Sequence, residues 1–216
     1  MLDQVLRNVT IVGAAGKTGS GIALLLLQEM TRLEVERNPT NKIPDCQLNL
    51  VDSDPRALKD LVRYLRKQLI RYAEKKIVSL RTYFRDRSDL VDNSEVIDEF
   101  VDRALLLASP ATEMACASKS ALVFEAICER LEDKRQLFAR LKEICPPETY
   151  FFADISSFPI SAIEESAAIE GRLVGYRFRN RSAVQNPVEL VVSKSTPSEL
   201  KRIAENLETQ WNRQPR

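Results

Sequence analysis

Glycines at 13, 16 and 19 punctuate the segment Gly13-Ala14-Ala15-Gly16-Lys17-Thr18-Gly19, which follows a β-branched run, Asn8–Val12, and opens a stretch of helical character, Ile22–Arg32. Glycines so placed allow a tight turn and let backbone N–H groups approach a pyrophosphate at the helix N-terminus. A second apolar run, Gln47–Val51, ends on Asp52. An acid at that position accepts hydrogen bonds from adenosine ribose hydroxyls and repels a 2′-phosphate. Strand, glycine turn, helix and later acid together point to a dinucleotide site, with NAD favoured over NADP. Its candidate residues are Gly13, Gly16, Lys17, Thr18, Gly19 and Asp52. The interval from Gly19 to Asp52 is longer than usual, consistent with an insertion around Glu34–Pro44. The bland alternative is a Rossmann-like scaffold that keeps the loop only for its turn geometry.

The elements that must hold these residues alternate. After the loop with Asn38-Pro39 and Pro44, Asp54 stands as an N-cap with Pro55 in the first helical turn. Leu58, Leu61, Val62, Leu65, Leu69 and Tyr72 recur at helical spacing, with Lys and Arg on the other face. The stretch Ile77–Val101 is charged and turn-rich at Arg85-Asp86-Arg87-Ser88, and yields no clear element. Ala104–Ala108 reads as a strand, as does Ser120–Glu125, which leads into a helix over Glu132–Ile144 stopped by Pro146-Pro147. Tyr150–Ala153, Leu173–Phe178 and Val188–Val192 read as strands and Ser161–Ala168 as a short helix. Thr196-Pro197-Ser198-Glu199 resembles a capping box opening a helix to about Trp211. Alternation of this kind implies an α/β, Rossmann-like, doubly wound and largely parallel sheet with helices on both faces, in a single domain spanning 1–216.

Composition narrows the classes. Apolar residues make up 44% and charged residues 29%, with 32 basic against 31 acidic. That balance fits a soluble globular domain and gives no support to bulk nucleic-acid or membrane-surface binding. The N-terminus lacks a signal peptide's basic start and apolar centre, and no run is long enough to span a bilayer. The four cysteines form no CxxC pair and the chain contains no histidine, so no metal site is expected. Reduced thiols in a cytoplasmic protein are the expectation.

Several motifs extend the reading. Ile22-Ala23, Asp52-Ser53-Asp54-Pro55, Phe124-Glu125-Ala126-Ile127-Cys128-Glu129, Asp154-Ile155-Ser156-Ser157-Phe158 and Gly175-Tyr176-Arg177-Phe178-Arg179-Asn180 resemble, in order, the 3-hydroxyacyl-CoA dehydrogenases. The glycine loop is one residue longer than that family's Gly-x-Gly-x-x-Gly. The resemblance implies that Ala126, Glu129 and Lys134 line the nicotinamide side of the cofactor site. It implies that Ser156 bonds the substrate's 3-hydroxyl, that Asn180 stands beside the reacting carbon, and that Glu189 orients the family's catalytic histidine.

Arg177 occupies that histidine's position, twelve residues before Glu189. Taking the hydroxyl proton as hydride leaves a secondary alcohol needs a base with a pKa near the working pH. Imidazole meets the need; a guanidinium, with a pKa above about 12 and no acceptor lone pair, does not. Further departures lie close by: Asp154-Ile155 replaces the family's Asn-Thr, Arg181 its proline, and Arg179 an apolar or aromatic residue. Arginines at 177, 179 and 181 share one face of an extended segment. They are either a solvated strand end or a face for an anion or a partner.

In the family this domain is followed by a helical one that completes the acyl-CoA cleft and carries the dimer interface. The expectation from 216 residues is that it is absent here, leaving a surface open to a second copy of the chain. Two functions stay open on these grounds. One is an NAD-dependent oxidoreductase acting on 3-hydroxyacyl-CoA, impaired by the missing base. The other is a catalytically silent NAD(H)-binding or self-associating module. A ligand-free scaffold has less support, and nucleophilic chemistry at Ser156 lacks an activating histidine.

Overall fold

Near-continuous apolar runs form strands when both faces of a sheet are covered, and the Asn8–Val12 run lies in the interior of one. The computed structural model describes residues 2–40, 43–155, 157–178 and 188–212. Ser156, Arg179, Asn180 and Arg181 lie outside them. The chain runs α1 (Leu2–Val5), β1 (Asn8–Val12), α2 (Lys17–Arg37), β2 (Gln47–Val51), α3 (Pro55–Lys75), α4 (Ile77–Tyr83), α5 (Asn93–Leu107) and β3 (Ala108–Ala111). A 3-10 turn, Met114–Lys119, then leads to β4 (Leu122–Glu125), α6 (Leu131–Ile144), β5 (Tyr150–Asp154), α7 (Ser161–Ala167), β6 (Leu173–Phe178), β7 (Val188–Val191) and α8 (Ser198–Asn212).

The strands make one sheet in the order β3-β2-β1-β4-β5-β6-β7, parallel throughout except for antiparallel β7. Strand order reverses between β1 and β4, as expected of a doubly wound fold, and ligands bind such sheets at the carboxyl ends of those strands. Side chains alternate between two cores. Leu122, Phe124, Phe152 and Tyr176 pack with residues of α2, α3, α5 and α8 on one face. Val123, Phe151, Ala153 and Leu173 pack with α6 and α7 on the other. Among the described residues no helix is long and apolar enough to cross a membrane.

Two readings of the sequence need correction. Ala104–Ala108 is not a strand: α5 continues through Leu107, and the strand is Ala108–Ala111. Phe100, Val101, Ala104 and Leu107 are buried while Leu106 is 60% exposed, a helical rather than alternating pattern. The unreadable stretch 77–101 contains α4 and the start of α5. Its missed signal is a capping box, in which Asp92 and Glu95 each accept from the other's end of the first turn. At α8 the helix lies where expected, but the box does not form. Thr196 Oγ1 accepts from Ser193 N–H, and Glu199 accepts from the Tyr150 hydroxyl.

Candidate functional site

The glycine loop is built against its neighbours. Gly13 adopts φ +81°, and a Cβ there would lie 2.8 Å from the Ala126 carbonyl oxygen, so only glycine fits. A Cβ on Gly19 would collide with the Gly13 carbonyl. Both close approaches leave a cradle of bare backbone between β1, β4 and the start of α2. Gly16 caps α2 without a side-chain hydrogen bond. The N–H groups of Lys17, Thr18 and Gly19 form the helix's first turn, where no intrahelical acceptor exists and the dipole favours an anion.

The extra residue of the loop is braced by β2. Gly13 and Ala14 both donate to the Val51 carbonyl, at 2.9 and 3.0 Å. Ala15 N–H donates to Asp52 Oδ2 at 3.1 Å, and Asp54 N–H to Asp52 Oδ1 at 3.3 Å. Asp52 therefore stands at the end of β2 touching the loop it was expected to assist, with acceptor capacity left on both oxygens. Asp54 caps α3, accepting from Arg56 N–H at 2.8 Å. Beyond Asp52, a largely apolar groove of about 770 Å³ is lined by Pro55, Leu58, Val62, Pro110, Ala111 and Thr112 together with the basic Lys59 and Arg63.

At the end of β4, Ala126 meets the glycine loop through its carbonyl. Glu129 Oε1 accepts from Ser157 N–H at 3.0 Å, which ties the 126–130 turn to the segment after β5. Lys134 is fully buried; Nζ donates to Glu125 Oε1 and Oε2 at 2.7 and 2.6 Å and to the Asp154 carbonyl at 2.7 Å. Burial pushes the Glu125 carboxyl up to about 7, against the pull of the Lys134 ammonium and the Ile127 N–H. Arg177 and Glu189 are Cα partners of β6 and β7. Tyr176 points into the core beneath α8, so these two project from the opposite face. Ser156 and Asn180 lie outside the described residues.

A family described as "3-hydroxyacyl-CoA dehydrogenase, NAD binding domain" matches residues 8–215. The chain belongs to this family.

Its cofactor is accordingly NAD. The 3-hydroxyadipyl-CoA dehydrogenase of Escherichia coli is 34% identical over 125 residues, 58% of this chain and 26% of that protein. A probable 3-hydroxybutyryl-CoA dehydrogenase of Bacillus subtilis is 28% identical over 191 residues, 88% of this chain and 54% of its own. The chain thus spans about half or less of these relatives' lengths. The crystal structure of (S)-3-hydroxybutyryl-CoA dehydrogenase from Ralstonia eutropha superposes with a TM-score of 0.69 over 96% of this chain and 61% of that one, at 21% identity, a likeness of fold.

For a 3-hydroxyacyl-CoA dehydrogenase NAD-binding domain, reading the residues missed three neighbours of the candidate groups: Ala15, Glu125 and the Tyr176 hydroxyl. Only Glu125 left a trace in the sequence. A carboxylate closing an otherwise apolar buried strand demands a partner, and Lys134 follows nine residues later.

Proposed function

We propose that this chain binds NAD(H) through the glycine loop, the α2 N-terminus and Asp52, and that its turnover of 3-hydroxyacyl-CoA is impaired by Arg177. The cradle supports the cofactor half of the reading. Bare backbone at Gly13, Gly16 and Gly19 leaves room for a pyrophosphate beside unpaired first-turn N–H groups. Asp52 would accept from the adenosine ribose, and the groove lined by Leu58, Val62 and Pro110 would take the adenine. Ala126 and Glu129 would border the nicotinamide. NAD, when bound, supplies the hydride acceptor for oxidation of a secondary alcohol.

The chain's own part in that oxidation would be to hold the alcohol and remove its proton. Ser156 would hold the oxygen and Asn180 the neighbouring carbon's substituents. Proton removal is where the reading weakens. Arg177 stands opposite Glu189 in the sheet, where a base would be oriented, and a guanidinium cannot accept a proton. That one observation carries the claim of impairment. It equally favours the second reading, a catalytically silent NAD(H)-binding module. An acyl-CoA would be the substrate only under the first.

Calorimetric titration with NADH beside NADPH tests the cofactor claim, and saturable NADH binding with little response to NADPH is the expected result. Binding of neither sinks both readings. NADH oxidation by the same protein with acetoacetyl-CoA separates them, since the silent module shows none.

A further inference from the structure

A net charge of +1 conceals a local concentration of one sign. On α3, Lys59, Arg63, Lys67, Arg71 and Lys75 follow one another at intervals of four, and all five are exposed. Four residues of helix rise about 6 Å, so the five make one oblique row about 24 Å long. Arg56 and Arg66 flank it, also exposed. Leu58, Leu61, Leu65 and Leu69 bury the other side of the helix in the core. The middle of the row, Lys67, thus stands opposite the core and faces away from the protein.

Nothing local accounts for this arrangement. Like charges four residues apart on a helix repel and destabilise it, and the row sets such neighbours side by side along its whole length. The helix dipole favours a cation in the last turn, which explains Lys75, but disfavours one near the first turn, where Arg56 and Lys59 lie. Carboxylates answer few of the charges. Asp60 pairs with Arg63, and Asp102 of α5 lies 3.6 Å from Arg66. Arg56, Lys59, Lys67, Arg71 and Lys75 form no ion pair with a described residue, and Glu74 shares their face without pairing to any of them.

We propose that this face of α3 binds single-stranded nucleic acid, with phosphates along the row and a base stacked on Tyr64. One compact anion reaches two neighbouring cations at most, whereas a chain of phosphates meets the row along its length. Tyr64 is 36% exposed and stands three residues before Lys67 and seven before Arg71, on the same side of the helix. Bases stack on an exposed ring beside cations; the carboxylates of an acidic protein surface have no such group to set there. A membrane surface fits less well, because an interfacial helix needs an apolar face and that of α3 is packed in the core. The role stands apart from cofactor binding. Lys67, Arg71 and Lys75 lie beyond the groove that Lys59 and Arg63 help to line.

Fluorescence anisotropy on the full chain tests this, with labelled oligothymidylate and oligouridylate of about 12 nucleotides titrated at rising salt. Saturable binding of either in the micromolar range at low salt is expected. Lys67→Gln with Arg71→Gln should weaken it about tenfold or more and make the slope of log affinity against log salt shallower by about 1.4, two phosphate contacts being lost. The melting temperature of that variant should be no lower, since it removes like-charge neighbours. Tyr64→Leu should weaken oligonucleotide binding about fivefold or more and leave binding of heparin, a polyanion without bases, unchanged. Circular dichroism checks that both variants fold. No binding of either oligonucleotide overturns the proposal and leaves the row a solvated face. Binding that the double variant retains in full places the contact elsewhere and overturns it too. If heparin, polyglutamate or anionic phospholipid vesicles bind as tightly as the oligonucleotides and Tyr64→Leu weakens nothing, nucleic acid is the wrong partner.

Discussion

Arg177 and Glu189 stand directly opposite each other on β6 and β7, Cα partners in an antiparallel pair. Their twelve-residue separation in sequence is thus a cross-strand contact, with Cβ atoms about 5 Å apart. On the proposed reading, Glu189 is placed to orient a base at position 177, where an arginine cannot accept a proton. Arg177→His is expected to raise acetoacetyl-CoA-dependent NADH oxidation by about 100-fold or more. Adding Glu189→Gln to that variant should remove most of the gain. Steady-state rates under saturating NADH check both. No gain in a protein that still binds NADH would mean that more of the site than one side chain has been lost.

Gly13 is where loop conformation and packing coincide. Its φ of +81° and its approach to Ala126 each exclude a side chain. Gly13→Ala should lower unfolding free energy by about 2 kcal/mol or more and weaken NADH binding further, because relief requires the 126–130 turn to retreat. Thermal melts with and without NADH measure both effects. Equal melting of variant and parent would contradict the close contact.

Much of this was legible in the sequence, for identifiable reasons. Asn8–Val12, Gln47–Val51 and Tyr150–Ala153 announce themselves because buried parallel strands are apolar runs bounded by turn residues. Asp54 and Pro55 mark a helix start by local chemistry alone. Ala104–Ala108 misled because a short apolar run is compatible with either period. What decided it was burial of Phe100, Val101 and Ala104 against α2 and α3, a tertiary fact. The candidate site divides in the same way. Glycine spacing and Asp52 are local patterns. The bond from Ala15 to Asp52 spans 37 residues and the contact of Gly13 with Ala126 spans the sheet's switch point, and neither leaves a spacing to read.

Asp52 has two duties that can be separated. Its Oδ2 holds Ala15 N–H, and on the proposed reading its charge repels a 2′-phosphate. An asparagine side chain keeps an acceptor for Ala15 and loses the charge, so Asp52→Asn should narrow the preference for NADH over NADPH by about tenfold with the loop intact. Asp52→Ala loses the brace as well, and both affinities should fall together. Parallel titrations of the two variants decide it. If the asparagine and alanine variants behave alike, the bond to Ala15 contributes nothing to binding.

The pH dependence of stability offers a reading of the buried pair that needs no ligand. Burial is the larger influence on Glu125, and the Lys134 ammonium and Ile127 N–H only partly offset it, so its carboxyl titrates at about 7 in place of the ordinary 4.5. A group whose folded value is raised contributes stability that is full below the unfolded value and is lost as pH rises through the folded one. Melting temperature should therefore fall between pH 4.5 and about 7 in the unaltered protein. Glu99 acts in a different window. Burial disfavours its charge, but hydrogen bonds from Arg87 and Arg103 outweigh that and hold its carboxyl below the ordinary value. Its contribution is lost only as pH falls below the carboxylate range. Glu125→Gln removes the titrating carboxyl, so its curve should show no such fall across the window. Parallel slopes for the two proteins across that window would show that Glu125 carries no titration there, and that the ionised pair costs the fold nothing.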